Sequence, residues 1–85
     1  MTDLKSAVDH LERGDWEAAH VIVQEDESAL SCWAHGIVHL MEGDVGNAGY
    51  WYRRAKRPLP NVSSEDAAAR DAAIASELAA LRAAV

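Results

Sequence analysis

The chain has 85 residues, 8 basic and 14 acidic side chains and a formal net charge of -6 at pH 7. A chain of this length holds one hydrophobic core, so we expect a single domain over residues 1–85. The acidic balance and the lack of a nucleic-acid motif disfavour a nucleic-acid partner, and no apolar run approaches the length of a membrane span. With one unpaired cysteine and no signal-peptide pattern, the sequence predicts a cytoplasmic protein without a membrane partner.

Residues 1–27 have the pattern of a helical hairpin. Apolar residues at positions 4–11 recur at helical spacing and predict an amphipathic helix that ends at Gly14. Asp15 can then cap a second helix, which runs to the acidic turn at residues 25–28. This is the first predicted hairpin.

Residues 28–58 repeat the same pattern. Ser28 is a candidate N-cap for the third helix, and Gly43 ends that helix. Asp44 can cap the fourth helix, which we expect to continue to about Arg57 because two prolines follow. This is the second predicted hairpin.

Residues 59–85 form a proline-containing linker followed by a C-terminal helix. The serines and acidic residues at positions 63–66 predict the start of this helix. Its narrow apolar stripe consists of Ala67, Ile74, Leu78, Leu81 and Val85. Since this stripe is too thin to form a core alone, we expect the helix to dock on the two hairpins or on a second copy of the chain in a homodimer.

An internal repeat supports the two-hairpin interpretation. "HLERGDWEAA", from His10, aligns without gaps on "HLMEGDVGNA", from His39. A small residue, a Gly-Asp turn and an alanine in the next helix together resemble the tetratricopeptide repeat, with Gly36 and Ala48 at its small contact positions and Pro60 at its closing proline. The resemblance implies an all-α fold of two antiparallel tetratricopeptide-like hairpins plus a C-terminal docking helix.

The segment "EGDVGNAGYWYRRA" is similar to a second group of sequences. It resembles a family of small bacterial proteins of unassigned function, and the similarity covers roughly the first two thirds of the chain. The resemblance supplies no activity.

His35 and His39 lie one helical turn apart, on the same face of the third helix as Cys32 and Glu42. Two histidines at this spacing can bind one metal ion from neighbouring turns, and a thiolate or carboxylate could complete a tetrahedron. Zinc is the cofactor that such a site would hold. Cys32 and Glu42 are, however, too far apart along the helix to bind one metal ion easily together with the two histidines.

The tetratricopeptide resemblance implies a different environment for this histidine pair. It directs both imidazoles towards the fourth helix, where buried nitrogens need hydrogen-bond partners. Tyr52, Asn47 and His20 are the candidate partners. The pair would then close a structural network or line a small polar pocket, and we favour the network without any cofactor.

The aromatic run at residues 50–52 cannot all face inward on a helix. Trp51 and Tyr52 fit the buried stripe, whereas Tyr50 points away from it. Tyr50 therefore belongs to a candidate aromatic and cationic patch with Arg53, Arg54 and Arg57, suited to an acidic partner. Basic residues in the last helical turn are also explained by the helix dipole alone.

These patterns favour a non-enzymatic module that binds a protein or peptide partner. No catalytic constellation has a recognisable context. The alternative is a small-ligand or metal-binding protein that uses the face of His35 and His39. The candidate ligand-binding residues for the two hypotheses are His20, His35, His39, Asn47, Tyr50, Tyr52, Arg53 and Arg54.

Overall fold

The computed structural model describes residues 3–85 and contains, within that range, five α-helices and no strand. The helices are α1 (Leu4–Glu12), α2 (Trp16–Val23), α3 (Ala29–Glu42), α4 (Val45–Ala55) and α5 (Ala67–Ala84). The predicted all-α class is confirmed. In this range, no helix combines the length and the apolar character needed to cross a membrane.

Each helix begins at a side chain that accepts a hydrogen bond from a backbone N–H three residues later. Asp15, Ser28 and Asp44 cap α2, α3 and α4, as their positions in the sequence predict. Asp3 and Asp66 cap α1 and α5 in the same way. The helix starts are therefore determined by local sequence.

The fourth helix is shorter than expected. It ends at Ala55 instead of about Arg57, and Lys56 adopts a left-handed conformation with φ of 60°. The reason is steric: the ring of Pro58 disfavours a helical conformation at Arg57, so the helix must end before that residue.

Helix α3 is the centre of the molecule. It packs against all four other helices, and α5 lies across both α1 and α3. As a consequence, every residue from position 31 to 40 is buried, including His35 and His39. A helix surrounded in this way has no solvent face along these residues, so its polar side chains must find partners inside the protein.

The C-terminal helix docks on its own chain, through the predicted stripe. Ile74, Leu78 and Leu81 are buried, whereas Ala67 is exposed and Val85 is half-buried. The Arg82 guanidinium also joins α5 to α1, since it donates a hydrogen bond of 2.7 Å to Glu12 and pairs with Asp9. Apolar burial and this ion-pair cluster together hold α5 in place.

Candidate metal centre

Three histidine side chains from two helices converge on one face of α3. His35 and His39 belong to α3, and His20 comes from α2, which packs against it. One ring nitrogen from each histidine lies within 4.8 Å of those of the other two. The ring centroids are 4.8 Å apart for His20 and His35 and 5.0 Å apart for His35 and His39.

Local packing explains how His20 reaches the pair. Ala19 and Val23 are fully buried and fix the inward face of α2. His20 follows Ala19 directly, so it lies at the border of that face and is half-buried. The sequence suggested His20 as a partner of the pair, and the structure places it there as a third imidazole.

The orientation of His39 is determined by a carboxylate. Its Nδ1 lies 2.9 Å from Oε1 of Glu42, one turn further along α3. When His39 is neutral and donates the Nδ1 proton to Glu42, its Nε2 carries a free lone pair. Histidine ligands of metals in proteins are oriented in this way by a carboxylate on the other ring nitrogen.

His35 is the most unusual residue of the cluster. Only 3% of its surface is exposed, and its Nδ1 is buried without a hydrogen-bond partner among residues 3–85. Burial, and then the nearby His39, His20 and Arg54, lower the pKa of His35 from 6.5 to about 4. The imidazole is therefore neutral at pH 7, the state in which a histidine binds a metal ion.

Trp51 closes the cluster from the side of α4. Its ring stacks on that of His35 with centroids 3.7 Å apart and planes inclined by 10°. The guanidinium carbon of Arg54 lies 5.1 Å from the centre of the Trp51 ring, so the indole also makes a cation–π contact. The indole thus shields His35 from solvent on this side.

Two of the expected hydrogen-bond partners do not reach the histidines. The Tyr52 hydroxyl donates instead to Oε1 of Glu77 in α5, over 2.7 Å. Asn47 is exposed, and its backbone N–H takes part in capping α4. The expectation that Tyr52 and Asn47 bind the pair is therefore wrong, because α5 supplies a stronger acceptor for the hydroxyl and Asn47 lies near the exposed start of α4.

Cys32 also lies outside the cluster. Its thiol is 3.6 Å from the backbone carbonyl oxygen of Glu27, and burial raises the pKa of the thiol. This agrees with the expectation that Cys32 is too distant to share a centre with His39.

The sequence indicated the site only in part. It placed Glu42 on the face of the histidines, and the three-residue spacing from His39 is the signal for their hydrogen bond. The role of Trp51 as a cover for His35 was missed. Its inward position was predicted, but a single sequence contains no signal for which residue of α3 it contacts.

The residues of the candidate aromatic and cationic patch are exposed, but its arginines contact different neighbours. Tyr50 is 48% exposed, as predicted, and the Arg54 guanidinium lies 5.7 Å from the centre of its ring. Arg54 also forms an ion pair of 2.8 Å with Glu27. Arg57 lies instead over the ring of Trp33, at 3.4 Å from its centroid. Arg53 remains exposed.

No protein-family model, curated protein or solved structure matches this chain. The geometry of the described residues is therefore the basis for a functional proposal.

Proposed function

We propose that the protein binds a divalent transition-metal ion, with zinc as the first candidate, through His20, His35 and His39. The convergence of three imidazole nitrogens within 4.8 Å carries this proposal. It develops the metal-binding alternative drawn from the sequence and replaces the thiolate or carboxylate of that hypothesis with the imidazole of His20.

The distances are close to those of a metal site. Tetrahedral zinc with Zn–N bonds of about 2.0–2.1 Å places its ligand nitrogens about 3.4 Å apart. Since no pair in the cluster exceeds 4.8 Å, none needs to approach by more than about 1.4 Å. His20 is half-buried, whereas His35 and His39 are buried in α3, so His20 is the ligand that would move to close this distance.

The chemistry of the three ligands is consistent with this ion. Neutral imidazoles suit zinc, copper, iron and nickel better than calcium or magnesium. Glu42 orients His39, and a bound ion would give the cluster a partner where the buried Nδ1 of His35 has no hydrogen bond within residues 3–85. Three protein ligands leave one position of a tetrahedron for water or a small ligand.

Thermal unfolding with and without zinc at pH 7 tests the proposal. We expect zinc to raise the melting temperature, because the ion binds the folded protein and not the unfolded chain. His20→Ala should abolish the shift while retaining the core, since His20 is half-buried. His10→Gln is the matched control: His10 lies on α1 beside Asp15, and its loss should leave the zinc shift unchanged.

A second measurement locates the ion. Glu42→Gln should weaken zinc binding by roughly 10- to 100-fold, the usual cost of losing a carboxylate that orients a histidine ligand. Because His39, Glu42 and Asp44 also form a compact group, Asp44→Asn tests whether the ion lies there. Equal loss in Asp44→Asn and His20→Ala, or no shift with zinc, copper or nickel, would reject the three-histidine site.

We also propose a partner-binding role for the α4 surface as a second candidate function. The exposed Tyr50 beside Arg53 and Arg54 supports it. A carboxylate of an acidic partner would replace Glu27 in the ion pair with Arg54. Titration with an acidic, aromatic peptide should shift amide NMR signals of α4, and Tyr50→Ala with Arg53→Gln should remove the shifts; unchanged spectra would reject this role.

We propose, finally, that the chain is related in architecture to tetratricopeptide repeats and to the small bacterial family that shares the segment around Tyr52. The approach of α3 and α4 at Gly36 supports the first relation: a β-carbon at Gly36 would lie 2.5 Å from Cδ2 of Tyr52. An experimental structure in which the two hairpins do not superpose on consecutive repeats would reject this relation.

A further inference from the structure

A cavity of about 460 Å³, broadly open to solvent, lies where the ends of α1 and α3 meet α5. Its apolar walls are formed by Leu11, Trp16, Met41, Ile74 and Leu78. This volume lies within the usual range for small-molecule sites, roughly 300–1,000 Å³. Met41 and the histidines are on opposite faces of α3, so the cavity is separate from the metal centre.

The charged side chains that line this cavity all have the same sign. They are the carboxylates of Glu12 and Asp71, and no basic residue of the described chain belongs to the lining. Glu12 is paired with Arg82, at 2.7 Å, a guanidinium that it shares with Asp9. Asp71 has neither an ion pair nor a side-chain hydrogen bond within residues 3–85, so its charge is available to a ligand.

The cavity is bordered by the C-terminal ends of α1 and α3 and by the N-terminal end of α2, whose partial positive charge is offset by the Asp15 carboxylate that caps it. Leu11 and Glu12 form the last turn of α1, and Met41 belongs to the last turn of α3. The C-terminal end of a helix carries a partial negative charge, which favours a cation. Trp16 adds an indole to the lining, the aromatic group that binds ammonium groups best.

We infer that this cavity binds a small organic cation, an ammonium group attached to an aromatic or aliphatic body, with Asp71 as its charge partner and Trp16 as an aromatic wall. The apolar walls would contact the aromatic or aliphatic part of the ligand. The carboxylate and the two helix ends would hold its charge.

Isothermal titration calorimetry with three probes of similar shape tests this inference. The probes are 2-(1-naphthyl)ethylamine, 2-(1-naphthyl)ethanol and 1-naphthaleneacetate, used with a chelator present so that metal binding does not contribute. The amine should bind at least about fivefold more tightly than the alcohol, a charge contribution of the size seen at helix termini and aromatic faces. The acetate should bind least.

Variants locate the bound amine. Asp71→Asn should reduce the ratio of the amine affinity to the alcohol affinity to near one. Glu25→Gln removes an exposed charge outside the lining and should preserve this ratio. Ala75→Leu should block all three probes, because Ala75 lines the cavity and is exposed, so a larger side chain fills the cavity without entering the core.

Three results would overturn the inference. One is equal affinity for amine and alcohol in the unmodified protein. Another is absence of amine binding at millimolar concentration. The third is tighter binding of a short lysine-leucine peptide than of the free amine, which would assign the cavity to a basic protein partner instead.

Discussion

The indole of Trp51 lies flat against the imidazole of His35, with 3.7 Å between ring centroids and 10° between ring planes. One residue belongs to α4 and the other to α3, so this contact joins the two helices over the cluster of three histidines. It removes His35 from solvent and contributes to the low pKa of its imidazole, of which burial is the largest cause.

Trp51→Ala should therefore change both the stability and the titration of the protein. The lost stacking and apolar contact should lower the free energy of unfolding by roughly 2–3 kcal/mol, measured by urea denaturation. Water would reach His35, and its pKa, followed by NMR, should rise from about 4 towards 6.5. Trp51→Phe retains a stacked ring and should preserve most of both properties. An unshifted pKa in Trp51→Ala would contradict the shielding role.

The stability of the metal-free protein should decrease in mild acid. The pKa of His35 is about 4 in the folded protein, against 6.5 without burial. The unfolded chain therefore binds one more proton between these values, and unfolding becomes easier as the pH falls from 6.5 to about 4, by roughly 2–3 kcal/mol in total. Above about pH 7.5 this contribution no longer changes, because the imidazole is then neutral in both states.

Urea denaturation in the presence of a chelator, repeated from pH 7.5 to 4, measures this effect. The groups that face His35 are His20 and His39, which oppose its protonation when charged, and Arg54. His35→Phe should remove most of the decrease in unfolding free energy between pH 7.5 and 4, because the titrating group is absent. If the unfolding free energy of this variant depends on pH as strongly as that of the original protein, the acid sensitivity belongs to other residues.

Glu77 should be a main polar link between α5 and the rest of the fold. Its Oε1 accepts hydrogen bonds from the Tyr52 hydroxyl at 2.7 Å and from Trp33 Nε1 at 3.1 Å. Burial and Glu77 also raise the pKa of Tyr52 above its usual value, so the hydroxyl remains a donor at neutral pH. Glu77→Ala leaves this buried hydroxyl unpaired and should destabilise the protein by roughly 1–3 kcal/mol in thermal or urea unfolding.

Glu77→Gln is the matched control for this link, since its amide oxygen can still accept both hydrogen bonds. It should lose clearly less stability than Glu77→Ala. In addition, Tyr52→Phe combined with Glu77→Ala should cost less than the sum of the single changes, because the unpaired hydroxyl is removed. Strict additivity would mean that the hydrogen bond contributes nothing.

Gly36→Ala should be destabilising, although alanine is a better helix former. The new β-carbon would meet the Tyr52 ring at 2.5 Å and force α3 and α4 apart, at a cost of roughly 1–3 kcal/mol. Gly46→Ala, in α4, meets only a side-chain oxygen at 3.9 Å and should be neutral or stabilising by up to about 1 kcal/mol. Similar melting temperatures for the two variants would contradict the close approach at Gly36.

Asp44→Ala should lower the free energy of unfolding by about 0.5–2 kcal/mol, measured by chemical denaturation. The Asp44 carboxylate accepts the backbone N–H of Asn47 at 3.2 Å and so caps α4. Asp44→Asn keeps a capping oxygen and should retain most of the stability. If both variants are as stable as the original protein, the cap is not a determinant of the helix start.

Local sequence determined where most helices begin and end. An aspartate or serine before an apolar periodic segment supplies the missing acceptor for backbone N–H groups, and Gly43 adopts the left-handed conformation that ends α3. The shared face of His35 and His39 also follows from local geometry, because residues four apart lie on the same side of any helix.

Tertiary structure decided which side chains from different helices contact one another. His20 completes the cluster because of the position at which α2 packs on α3, and Trp51 covers His35 through the packing of α4. Tyr52 donates to Glu77, which is 25 residues away in the chain. Such contacts depend on the relative rotation and separation of packed helices, which are set by the fit of the whole core and which helical periodicity does not encode.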